Sequence, residues 1–98
     1  MYEIFEVPKE HLRKAKEILK DDVISRQSIV ERDAVALDLE SNNYYILIEG
    51  NEEGLTRARE LFTMARILEG REKEEIYGKI KAGEESSASG IGMIFDGF

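Results

Sequence analysis

The chain has 98 residues, of which 42% are hydrophobic and 36% charged, with a formal net charge of -7 and no cysteine. That size makes one compact domain with a modest core, and the apolar share argues for a folded chain rather than a disordered one. The missing thiols exclude disulfides, thiolate catalysis and thiolate metal sites, while the acidic balance disfavours unaided binding to phosphate backbones.

The opening "MYEIFEVPKEHLRK" has no basic head followed by an apolar segment, and no apolar stretch is long enough to cross a bilayer. A cytoplasmic protein without membrane contact is the expectation. Many Glu, Lys and Arg beside few thermolabile side chains are compatible with a thermophilic source.

Residues 2–7 alternate imperfectly, with Phe5 and Val7 on one face and Tyr2 and Ile4 on the other, as in a strand covered on both sides. Pro8 ends it and suits a helical first turn. A helix is predicted over about 9–20, burying Leu12, Ala15, Ile18 and Leu19. Residues 21–27 read as a loop into which Val23 and Ile24 tuck.

A second strand region covers 28–40, clearest where Val35, Leu37 and Leu39 alternate with Ala34, Ala36 and Asp38. Arg32 and Asp33 mark either a bulge or a dividing turn. Asn42 and Asn43 suit a two-residue hairpin turn, which would set Leu39 opposite Ile46 and Leu37 opposite Ile48. Asn51 is the predicted N-cap of the strongest helix, with Glu52 and Glu53 in its first turn, Leu55, Ala58, Leu61, Phe62, Ala65 and Leu68 on its apolar arc, and Gly70 as its stop.

A shorter helix is predicted over 71–81, with Ile76, Tyr77 and Ile80 on one side. Residues 84–98 read as a flexible spacer followed by a terminal strand, with Met93 and Phe95 facing one way and Ile94 the other. The strand would dock in its own chain or in a neighbour's sheet. The expected order, strand, helix, strand, strand, helix, extra helix, strand, matches a ferredoxin-like split βαβ sandwich, an α+β domain with helices covering an antiparallel sheet. Its core would set Phe5, Leu37, Leu39, Ile46, Ile48 and Phe95 against Leu12, Leu19, Leu55, Phe62 and Leu68.

No catalytic motif stands out, and no cofactor or metal is expected. His11 is the only histidine, so a histidine-cluster metal site is excluded within one chain. The adjacent acids Asp21 and Asp22, Glu52 and Glu53, and Glu84 and Glu85 read as solvated or capping residues. Asp38 and Glu40 are the best placed carboxylates for acid or base chemistry, because alternate strand residues share a face. "GNEEG" and "GIGMIF" lack phosphate-loop and dinucleotide spacing.

Two surfaces remain. Lys9, Arg13, Lys16 and Lys20 align along one flank of the first helix, and Arg59 and Arg66 lie on the second, together a candidate nucleic-acid surface. "ILIEGNEEGLTRARELF" resembles the closing strand and helix of KH modules, which implies RNA binding, but it has no GXXG clamp. The other surface, a candidate protein interface, comprises Tyr44, Tyr45, Met64, Ile67, Ile91, Met93, Ile94, Phe95 and Phe98. The reading favoured is a non-catalytic structural or regulatory subunit acting through protein association, homo-oligomeric in the first instance. RNA binding is the alternative, followed by small-molecule binding or catalysis.

Overall fold

The computed structural model describes the backbone of residues 1–96 and the side chains of 1–83. It is a mixed α+β fold with a four-stranded antiparallel sheet and three α-helices. The strands are β1 (Tyr2–Val7), β2 (Ser28–Asp33), β3 (Tyr44–Glu49) and β4 (Arg66–Ile67), in the order β2-β3-β1-β4. The helices are α1 (Leu12–Ile18), α2 (Glu52–Leu61) and α3 (Gly70–Asp96). The last strand thus precedes the third helix, and the spacer and terminal strand expected over 84–98 give way to helix as far as Asp96.

Alternation on β1 and β3 divides the core into two layers, one on each sheet face. Phe5, Val7, Ile46 and Ile48 face α1 and α2, packing with Ala15, Ile24, Leu55, Ala58 and Phe62. Phe5 and Phe62 stack with ring centroids 4.7 Å apart. Ile4, Tyr45 and Leu47 face the other way, packing with Leu68 and with Ile76 and Ile80 of α3. The sheet therefore carries a core on each face.

Residues 9–20 divide into a 3-10 turn at Lys9–His11, where the Pro8 carbonyl accepts from the His11 N–H at 2.9 Å, and the short α1. Asn51 caps α2 as expected, its side-chain oxygen accepting the Gly54 N–H at 2.8 Å.

The hairpin is wider than predicted. Asp33 pairs with Tyr44, so the link occupies 34–43 and Asn42–Asn43 is not a two-residue turn between strands. Of the two readings of Arg32 and Asp33 the turn is the one formed, since the Asp33 side chain accepts the Ala36 N–H at 2.9 Å and opens a 3-10 turn at Val35–Leu37. Ala34 and Leu37 are buried three residues apart while Val35 and Ala36 point outward, the period of that turn rather than of a strand. Leu37 and Leu39 join the α3-side core and do not face Ile48 and Ile46.

The second helix stops early. Phe62 leaves the helical region at φ -83°, ψ 56°, and the chain turns so that Arg66–Ile67 pairs with β1. The Leu68 N–H donates to the Ile4 carbonyl at 3.0 Å. Gly70, at φ +60°, opens α3 instead of closing α2. That left-handed conformation is one that glycine adopts at little cost.

Candidate functional site

The most concentrated chemistry lies where β1, β3 and β4 meet on the α3 side of the sheet. Glu6 is 9% exposed. Its Oε2 accepts from Asn43 Nδ2 at 2.7 Å and from the Tyr45 hydroxyl at 3.1 Å, and its Oε1 accepts from Arg66 Nε at 2.8 Å. Arg66 Nη1 and Nη2 hold the two carboxylate oxygens of Glu72 at 2.8 and 2.7 Å. Burial pushes the Glu6 carboxyl up, but the bonds from Asn43, Arg66 and Tyr45 outweigh it and hold the group below its ordinary range. The same burial, together with the Glu6 charge, raises the Tyr45 hydroxyl. Bonds to Glu72 and Glu6 raise Arg66. The cluster is closed, because each of these charged groups already has its counter-charge.

Two further clusters fasten the edges of α3. Glu3 binds Arg59 at 2.6 Å and Lys73 at 3.0 Å. Glu49 binds Lys81 at 2.7 Å and accepts the Tyr77 hydroxyl at 2.9 Å, and Tyr77 stacks on Tyr2 at 4.1 Å. Lys81 and then Tyr77 hold the Glu49 carboxyl low. Among the described residues no buried side-chain nitrogen or oxygen lacks a partner, and no group of three or more His, Asp or Glu side chains is placed to hold a metal ion.

An open groove of about 630 Å³ lies between residues 21–23 and the start of α2, lined by Asp21, Asp22, Glu52, Glu53, Thr56, Arg57 and Glu60. Arg57 spans it, donating to Asp21 Oδ1 from Nε at 3.1 Å and Nη2 at 2.9 Å, which lowers the Asp21 carboxyl. The groove is an acidic, solvated surface with its one arginine engaged.

The proposed basic surface is only half assembled. Lys9, Arg13, Lys16 and Lys20 are all exposed, but Lys9 sits in the 3-10 turn and Lys20 beyond the end of α1. Lys16 lies 4.0 Å from Glu31, and Lys20 lies 3.7 Å from Glu17. Arg59 is tied to Glu3, while Arg66 belongs to β4 and is tied to Glu6 and Glu72. Those two arginines add no positive surface to the flank of α1.

The proposed interface residues do not form one patch. Tyr45 is buried on the α3 side, whereas Tyr44, Met64 and Ile67 pack against the core on the opposite face. Tyr44 lies under Lys16, 5.8 Å from ring centroid to Nζ, and donates to Glu31 at 3.4 Å. The side chains of Ile91, Met93, Ile94 and Phe95, and Phe98 altogether, lie outside the described residues. His11 is exposed at the end of the 3-10 turn and lines neither the Asp21–Arg57 groove nor the cleft between Glu3, Arg59 and Lys73. Asp38 and Glu40 are exposed in the 34–43 link, so they share no strand face, and the arrangement that acid or base work required of them is not formed.

Sequence reasoning missed the Glu6 cluster, whose members are scattered from position 6 to position 72. The signal available was a glutamate two residues beyond Ile4 on a strand read as covered on both sides. No helix among the described residues is long and apolar enough to cross a membrane. Comparison with family models, with curated proteins and with solved structures gives no match.

Proposed function

We propose that this chain is a ferredoxin-like, non-catalytic subunit, structural or regulatory, which acts through protein association and takes its own kind as first partner. The observation that carries this reading is a contrast. The fold engages the charges gathered around Glu3, Glu6 and Glu49 in internal ion pairs, yet leaves β2, an edge strand of six residues, paired on one side only. Unpaired edge groups are a ready template for another chain. The ferredoxin-like part rests on β3 lying between β1 and β2 and antiparallel to both, with β4 shortened to two residues and α3 added after it.

Absolute mass by light scattering over a concentration series tests the reading. The expected result is a mass rising above that of one chain, and a mass fixed at 11.2 kDa throughout would overturn self-association. An RNA oligonucleotide titrated at low salt gives the contrasting test. Lys9 and Arg13 are the exposed cations of the α1 flank without a carboxylate partner among the described residues, too few to hold a phosphate backbone against the net charge of -7. The expected result there is no binding, and salt-dependent binding lost on reversing those charges would favour the RNA reading.

A further inference from the structure

Resting on the association reading above, we propose that a second copy of this chain joins edge to edge through β2, antiparallel and symmetric about Val30. The Ala34 N–H donates to the Asn43 carbonyl at 3.1 Å, continuing the register that pairs Asp33 with Tyr44. Bonded pairs alternate along an antiparallel ladder. Ser28, Val30 and Arg32 therefore bond inward to Glu49, Leu47 and Tyr45, and the amides and carbonyls of Ile29, Glu31 and Asp33 point away from the sheet.

No proline or glycine interrupts "SIVERD". Its charged side chains are Glu31, Arg32 and Asp33, and of these Arg32 reaches the outward edge, its Nη1 donating to the Glu31 carbonyl at 2.8 Å. A carbonyl carries two acceptor sites, so this bond does not block a partner's amide.

The side chains select the register. A two-fold centred on Glu31 would set Glu31 against itself, and one centred on Arg32 would set arginine against arginine. Like charges directly opposite are destabilising. Centring on Ile29 leaves one bonded pair within the strand, Ile29 against itself, because Glu31 then falls opposite Gln27, whose N–H already donates to the Ile24 carbonyl at 2.9 Å, whereas centring on Val30 keeps Ile29 bonded to Glu31 on both sides of the axis. Centred on Val30, the strand sets valine against valine, Arg32 against Ser28, and Ile29 against Glu31.

The charge at this edge also favours a second copy as the occupant. Lys16 and Arg32 offset Glu31 and Asp33, so the edge is locally neutral on a chain of net charge -7. An equally acidic copy can approach there, while a basic partner finds no acidic patch to read. Val35, 79% exposed just past the end of the strand, adds an apolar contact at the rim.

The chain contains no cysteine, so a single introduced one reports one contact. Val30 faces its symmetry mate in a non-hydrogen-bonded pair, where Cα atoms lie about 4.5 Å apart, inside the range a disulfide bridges. Mild oxidation of Val30→Cys is expected to give a covalent dimer, faster than Glu31→Cys or Lys14→Cys. Faster coupling of Glu31→Cys would overturn the register. In parallel, Glu31→Pro removes an outward N–H without touching the β3 ladder, and is expected to give a folded chain by circular dichroism whose mass stays that of a monomer. A dimeric parent whose Val30→Cys form fails to couple, or a folded Glu31→Pro dimer, overturns the β2 contact and leaves the association reading standing. A parent that is monomeric at every concentration overturns both.

Discussion

Arg66 and Glu6 are joined across the β1–β4 pair by a 2.8 Å bond from Nε to Oε1, and Glu6 is the one charged side chain buried among the described residues. The pair is asymmetric, since the Glu6 side chain is 11% exposed and the Arg66 side chain 56% exposed. Removing the arginine leaves a carboxylate that keeps Asn43 and Tyr45 but loses its counter-charge. Arg66→Ala is expected to cost about 2 kcal/mol, below the usual loss for a fully buried pair because water reaches the arginine. Glu72→Ala, which removes an exposed partner of the same guanidinium, is expected to cost about 0.5 kcal/mol. Urea unfolding midpoints order the two variants, and equal losses would mean that Glu6 does not depend on Arg66.

The same carboxylates set the acid limit of stability. Glu6, Glu49 and Glu72 lie below the ordinary 4.5, and Asp21 lies below 3.8. With folded values below the unfolded ones, the unfolded chain takes up protons first. The stabilisation is therefore complete above the unfolded values and is lost as pH falls through the folded ones. Tyr44, Tyr45 and Tyr77 are raised above 10.0, so their contribution is complete below that value and is lost as pH rises beyond it. Urea midpoints are expected to be level through neutral pH, falling below pH 4.5 and again above pH 10. Glu6→Gln is expected to shallow the acid limb, and an unchanged limb would place its source elsewhere.

Legibility in the sequence followed the range of the determining interaction. β1 and the start of α2 were readable because alternation, Pro8 and the Asn51 cap act within a few residues. Residues 55–68 read as one helix because Ala65 and Leu68 continue its period, whereas the break depends on the Leu68 N–H meeting the Ile4 carbonyl 64 residues away in sequence. A strand of two residues carries no period to detect. Beyond Gly83 the small residues suggested a spacer, yet serine and alanine are tolerated in helices, and the only proline is Pro8. No proline ends the helix, and α3 runs on through Gly83, Gly90 and Gly92 to Asp96. The Glu6 cluster was illegible for the same reason as β4, since its partners meet only once the sheet has formed.

Gly54 offers a test of close packing. A Cβ there would overlap the Gln27 side chain, whose Oε1 accepts the Asn51 N–H at 3.2 Å and whose Nε2 donates to the Val23 carbonyl at 3.1 Å. Within a helix, alanine is otherwise favoured over glycine by about 1 kcal/mol. Gly54→Ala alone is expected to destabilise, because Gln27 must abandon both bonds. In a Gln27→Ala background the same substitution is expected to stabilise by up to about 1 kcal/mol. A double-mutant cycle by thermal unfolding reads this reversal of sign, and additive effects would show that Gln27 moves aside freely.

Whether α3 belongs to the cooperative unit is decided by what holds it. Ile80 is fully buried and Ile76 is 5% exposed in the α3-side core, while Tyr77, Lys73 and Lys81 fasten the rim to Glu49 and Glu3. Burial of an aliphatic side chain outweighs an exposed ion pair, so the helix should depend on its isoleucines more than on its charges. Ile80→Ala is expected to cost about 2 to 4 kcal/mol, whereas Tyr77→Phe, which keeps the stack on Tyr2 and loses only the hydroxyl bond, should cost a small fraction of that. Amide exchange separates two outcomes that a single midpoint merges. If β1 and β3 lose protection in step with residues 71–83 in Ile80→Ala, the second core layer unfolds with the sheet. If protection falls in 71–83 alone, α3 detaches as a unit of its own, and the sheet together with α1 and α2 retains its stability without it.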